Sequence, residues 1–207
     1  MNRSTAFWDK VAERYSNQPI ADEAAYQKKL QVTQEYLKPE MEVLEFGCGT
    51  GSTAIIHAPF VHHIRAIDFS SKMLDIARAK AESAEIENLT FEKATIEDLE
   101  VAEGTLDVVL GLSILHLLED KEAAISKAFT MLKPGGVFVS STACLADFMN
   151  WFKFVAPLAG VLGLIPQVKV ISEQELIESL TNAGFQIDYR WTPGKGKAVF
   201  IVAKKPE

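Results

Sequence analysis

The sequence predicts an α/β fold: a doubly wound sandwich whose seven-stranded, mostly parallel sheet ends in an antiparallel C-terminal hairpin. Three observations carry this reading. Apolar runs of strand character alternate with helical stretches nearly throughout, a glycine-rich turn stands directly after the first run, and the last two runs are joined too tightly for a crossover helix.

The segment 5–37 is helical in pattern and reads as an appended cap; within it Phe7, Val11 and Tyr15 are spaced four apart, on one helix face. Strand-like runs follow at 42–46 (EVLEF), 63–68 (HIRAID), 89–94 (LTFEKA) and 106–112 (LDVVLGL). Helices are expected over 71–82, opened by a serine cap, over 120–132, closed by Lys133-Pro134-Gly135, and over 172–183, closed by Gly184. The fifth strand is 136–142 (GVFVSST), and 185–191 and 198–204 pair antiparallel across TPGKGK. In such sheets ligands collect beyond the carboxyl ends of the strands, where strand order reverses. The glycine turn sits at that edge.

With 207 residues, 48% of them hydrophobic and 24% charged, the chain reads as one domain: a cap (1–39), a core (40–142), an apolar insert (143–170) and a terminal helix and hairpin (171–207). The net charge of −7, with no long basic run, argues against a nucleic-acid partner. Cys48 and Cys144 form no disulfide framework, and neither they nor His57, His62 and His63 have metal-ligand spacing, so no metal is expected. The start MNRSTAFWDK lacks an apolar signal core, which points to a cytoplasmic setting.

The chemistry concentrates in VLEFGCGTG, residues 43–51. A nicotinamide-type GxGxxG fails from Gly47, whose sixth position is Ser52, and fits weakly from Gly49, whose sixth position is Ala54. No tyrosine is followed four residues later by lysine, and no GxxxxGK[ST] occurs. EFGCGTG does match the acid-x-Gly-x-Gly-x-Gly loop of the class I S-adenosylmethionine-dependent methyltransferases, which are Rossmann-like. AIDFS, ATIEDL, LDVVLGLSILHLL and MLKPGGVFV follow in that family's order, so the chain resembles it over residues 40–142.

The resemblance implies S-adenosylmethionine as cofactor, S-adenosylhomocysteine as product, and a small organic acceptor. It implies that the backbone of Gly47, Cys48, Gly49 and Gly51 lies against the cofactor and that Glu45 favours its ammonium. Asp68 would take the ribose hydroxyls, with Phe69, Met73 and Leu112 along the same site and Tyr15 closing over the methionine end. Asp68 would otherwise only cap the helix after it, and Tyr15 only pack. Where relatives present an Asp to the adenine, this chain has Thr95 and Ile96, whose hydroxyl and N–H remain as substitutes.

Methyl transfer from a sulfonium needs alignment more than acid–base machinery; His116, after the fourth strand, is the candidate base, or else a structural residue. The stretch 147–167 is expected to wall an apolar or aromatic acceptor, with peripheral membrane contact through 148–165 as an alternative in which Trp151, Phe152 and Phe154 touch the surface. Two other readings stay open: a non-catalytic cofactor-binding or regulatory module, and an NAD-type oxidoreductase.

Overall fold

The expected alternation is present in a computed structural model, which describes residues 3–149 and 168–207. Helices α1 (Arg3–Ser16) and α2 (Glu23–Gln34) come first. The helical pattern expected over 5–37 is broken between them, where Pro19 cannot continue a helix and Asp22 starts the next by accepting the Ala25 N–H at 3.1 Å.

Then follow β1 (Glu42–Phe46), α3 (Ser52–His57), β2 (His63–Asp68), α4 (Ser71–Ser83), β3 (Leu89–Lys93), β4 (Leu106–Leu112), α5 (Lys121–Met131), β5 (Leu132–Thr142), the short α6 (Ala146–Met149), α7 (Glu173–Asn182), β6 (Gln186–Trp191) and β7 (Val199–Lys204). The sheet runs β3-β2-β1-β4-β5-β7-β6, parallel except where β7 runs against both β5 and β6. Strand order therefore reverses between β1 and β4, directly above the glycine turn.

Both sheet faces are covered, which is why the central strands read as unbroken apolar runs. Val43, Val108, Val139 and Phe200 pack with Val32, Leu37 and Ala54 on the side of α2 and α3. Leu44, Val109, Phe138 and Ile201 pack with Ile125, Met131, Leu176 and Leu180 on the side of α5 and α7. Each such buried side chain contributes roughly 1.5–3 kcal/mol relative to exposure. β6, an edge strand, instead alternates exposed and half-buried residues.

One boundary differs from expectation. Lys133-Pro134-Gly135 does not form a separate turn; β5 starts directly after α5, and Leu132 pairs with Leu106. The Lys133 ammonium on Asp107 (2.7 Å) and the Gly135 N–H on the Lys205 carbonyl (3.0 Å) hold that stretch in the sheet, with a register shift between Leu106 and Val108.

Of the apolar insert, residues 150–167 lie outside the described residues, as do the expected acceptor wall and membrane contacts that fall on them. Its flanks are fixed: Ala146 N–H donates to the Ile171 carbonyl (3.1 Å) and Lys169 N–H to the His116 carbonyl (2.7 Å). Among the described residues no helix is long and apolar enough to cross a membrane, and no group of three His, Cys, Asp or Glu could hold a metal.

Candidate functional site

Beyond Phe46 the chain turns into α3 through a loop tied across to β2. Cys48 N–H donates to the Ile67 carbonyl (3.0 Å), and Asp68 accepts the Gly49 N–H (2.9 Å) and the Ser70 N–H (2.8 Å). The glycines in this loop have different duties. Gly51 has φ +73°, and a Cβ there would stand 2.8 Å from the Ala77 methyl and 2.8 Å from the Phe91 ring. Gly49 has φ +54°, and a Cβ there meets nothing within 4 Å, because it faces a cavity. From α4, Lys80, itself on the cavity's lining, reaches Thr50 Oγ1 (3.1 Å) and Ser52 Oγ (3.3 Å) and braces the loop.

The cavity measures about 560 Å³, within the usual range for small-molecule sites. Its floor is the end of β1 with Asp68. One wall is α1, fastened where Asp9 accepts the Ser70 hydroxyl (2.6 Å) and the Lys72 N–H (3.2 Å), so that Trp8 and Tyr15, packed edge to face at 5.9 Å, stand over the loop. A second wall is α2, with Tyr26, Lys29 and Thr33. The far wall is the end of β4 and the turn after it. There Ser113 holds φ +58°, a left-handed conformation strained for a residue with a Cβ, while its N–H donates to the Ser141 carbonyl (2.7 Å).

The electrostatics of the floor are unusual. Glu45 is 3% exposed, and its Oε2 has no hydrogen-bond partner among the described residues. Burial, reinforced by the nearby Asp68 charge, pushes its pKa up to about 8. Asp68 is 8% exposed; burial raises its pKa while the Ser70 and Gly49 N–H groups pull it down. His57 of α3 is 0% exposed, both ring nitrogens lack partners among the described residues, and burial pushes its pKa down to about 4. A buried carboxyl group with its pKa raised to about 8 and a buried imidazole with its pKa lowered to about 4 both line a space open to a ligand.

Of the residues singled out from sequence, Tyr15, Glu45, Gly47, Cys48, Gly49, Asp68, Phe69, Met73 and Leu112 line this cavity. Gly51, Thr95, Ile96 and His116 are not among its lining residues. Gly51 serves the packing of the loop on α4. The Thr95 hydroxyl donates to Asp98 Oδ2 (2.9 Å) and accepts the Asp98 N–H (3.3 Å), closing a local turn, and Ile96 packs in the core against α5. His116 is half-buried with Nδ1 unpartnered among the described residues, and burial pushes its pKa down to about 4. Sequence reading passed over Tyr26, Lys29, Thr33, Thr53, His57 and Ser141. The usable signal was the polar spacing of Tyr26, Lys29 and Thr33, three and then four apart on α2, which puts them on one stripe facing the sheet.

A match to the family described as "Methyltransferase domain" covers residues 37–186. The uncharacterized methyltransferase YcgJ of Bacillus subtilis is 27% identical over 139 residues, 67% of this chain and 54% of that protein. A ubiquinone biosynthesis O-methyltransferase of Albidiferax ferrireducens is 30% identical over 162 residues, 74% of this chain and 62% of the relative. This chain thus spans between half and two thirds of the length of these curated relatives. The crystal structure of YcgJ superposes with a TM-score of 0.72 at 17% identity, over 87% of this chain and 99% of that one, a likeness of fold.

Proposed function

Since this chain belongs to the class I S-adenosylmethionine-dependent methyltransferase family, we propose that it moves a methyl group from S-adenosylmethionine to a small organic acceptor by in-line displacement. The observation that carries this reading is the floor of the cavity: a buried carboxyl group, Glu45, with one oxygen unpartnered among the described residues and a pKa pushed up to about 8, under a Gly49 that leaves the space above it clear.

The residues present fit the cofactor. Glu45 would face its positive charge, Asp68 would offer the carboxylate lone pairs left over from two backbone N–H bonds to the ribose, and Met73 and Phe69 would pack its apolar surface. When bound, S-adenosylmethionine supplies a methyl group on an already activated cationic leaving group. The chain's part is then alignment and exclusion of water. Trp8 and Tyr15, held by the Asp9 contact to Ser70 and Lys72, cover one side. Leu112, Ile114, Leu117 and Leu118 give the acceptor an apolar wall.

Titration calorimetry with S-adenosylmethionine and S-adenosylhomocysteine tests the binding half of the proposal, and absence of saturable binding to either would overturn it. Asp68→Ala is expected to weaken that binding by about 1.5–3 kcal/mol, the scale of hydrogen bonds to a charged group. Unchanged affinity would remove Asp68 from the site.

A further inference from the structure

Lys29 is the cavity-lining cation that the cofactor reading leaves without a duty. It projects from α2 across the sheet, and its ammonium donates to Ser141 Oγ at 2.8 Å, at the carboxyl end of β5. The group is half-buried, and burial lowers its pKa. Among the described residues no carboxylate lies within ion-pair distance of it. Asp22, the acid whose field it feels, accepts the Ala25 N–H and is paired with Lys197 (3.4 Å). A half-buried ammonium with one neutral partner retains donors for an anion and gains most from one that arrives by the cavity.

Strand order separates this position from the cofactor floor. Ser141 on β5 is two strands from Glu45 on β1 and three from Asp68 on β2, or about 10 and 14 Å at the usual strand spacing. An anion held by Lys29 therefore lies on the acceptor side of the cavity, clear of Glu45. Tyr26 and His57 also line the cavity, and among the described residues both His57 ring nitrogens are unpartnered.

We infer that the acceptor is a small organic acid, whose carboxylate is held by the Lys29 ammonium and the Ser141 hydroxyl while its apolar body lies along Leu112 and Leu117. This rests on the methyltransferase reading and adds the acceptor's chemical class to it.

The test uses the full chain with benzoate, phenylacetate and hexanoate, each set against its own amide. Binding is followed by saturation-transfer NMR with and without S-adenosylhomocysteine, whose own affinity is measured by calorimetry. At least one acid is expected to bind about tenfold or more tightly than its amide. Lys29→Met abolishes that preference while S-adenosylhomocysteine affinity stays within about twofold, Lys29→Arg restores part of it, and Ser141→Ala weakens it without changing the net charge. Thermal melts followed by circular dichroism establish that each variant is folded. Equal binding of acid and amide in every pair, or an acid preference that survives Lys29→Met, overturns the inference. So does a large loss of S-adenosylhomocysteine affinity in Lys29→Met, which would assign the lysine to the cofactor's carboxylate. Failure of the wild-type chain to bind S-adenosylhomocysteine would instead count against the methyltransferase reading, because the acid preference is also read without it.

Discussion

The two ends of the sheet treat buried and half-buried polar groups in opposite ways. At the amino end Asp107 accepts the Glu42 N–H at 2.8 Å and the Lys133 ammonium at 2.7 and 2.8 Å, tying the starts of β1, β4 and β5 together. Beside it the Asn88 amide donates to the carbonyls of Ala58, Val61 and His62, at 2.8, 3.0 and 3.3 Å, and fixes the loop entering β2. At the carboxyl end Glu45 Oε2 and Thr142 Oγ1 are buried without partners among the described residues, and Ser113 holds a strained backbone. Polar groups with satisfied bonds hold strands in register; unsatisfied ones cost stability and persist where a ligand can complete them. On the proposed function, the difference puts structure at one end and binding at the other.

The glycine loop repeats that division within five residues, and the largest expected effect sharpens it. Gly51→Val puts a branched side chain at φ +73° against Ala77 and Phe91. Left-handed strain and overpacking together should destabilise the fold by about 2–5 kcal/mol, read by denaturant unfolding. Gly49→Ala carries only the left-handed cost of about 1–2 kcal/mol. Its methyl group instead enters the cavity, so S-adenosylhomocysteine affinity should fall about tenfold or more, the scale of an intruding group in a fitted site. Equal stability losses for the two variants, with no affinity loss for Gly49→Ala, would erase the distinction.

A smaller effect is expected at the amino end. Asp107→Ala removes a charge-assisted bond to Lys133 and a bond to the Glu42 N–H, with an expected loss of about 1.5–3 kcal/mol in stability. Because the substitution lies at the far end of the strands, S-adenosylhomocysteine affinity should be unchanged in the folded variant. A matching loss of affinity would mean that the two ends are mechanically coupled and that the comparison is too simple.

The same contrast explains what the sequence could show. Strand runs, their order and the C-terminal hairpin were legible because burial on both faces of β1, β2 and β4 leaves continuous apolar stretches, and the glycines mark a turn directly after β1. Glu45 was legible as an acid within such a run. The site's second wall was not, since Lys29 and Ser141 are 112 positions apart and meet only because α2 crosses the sheet to the end of β5. Thr95 was read as free for a ligand, but its hydroxyl closes a turn with Asp98, a competition between side chain and backbone that spacing does not reveal. The direct passage from α5 into β5 depends on tertiary hydrogen bonds, those of Lys133 and Gly135, whereas the break at Pro19 is local, set by the proline and the Asp22 cap.

The smallest expected effect bears on Glu45 and asks whether its unsatisfied state costs stability. Its folded pKa, about 8, stands above the ordinary 4.5, so the native state keeps a proton that the unfolded chain has released. That contribution is fully present below 4.5 and is lost as pH rises through about 8. His57 and His116, held down to about 4 from 6.5, act in the opposite sense: theirs is present above 6.5 and lost as pH falls through about 4. From about one pH unit above 6.5 the histidines are neutral in either state and add no slope, whereas Glu45 still does up to about 8. Wild-type stability should fall there by up to about 1.4 kcal/mol per pH unit, and Glu45→Gln should remove that component of the slope. A cationic ligand reverses the sense, because it favours the ionised carboxylate: S-adenosylmethionine affinity should rise toward pH 8 with release of a proton, measurable by calorimetry in buffers of different ionisation enthalpy. Identical slopes for wild type and Glu45→Gln, and binding without proton release, would show that Glu45 is satisfied in solution and that the carboxyl end carries no such charge deficit.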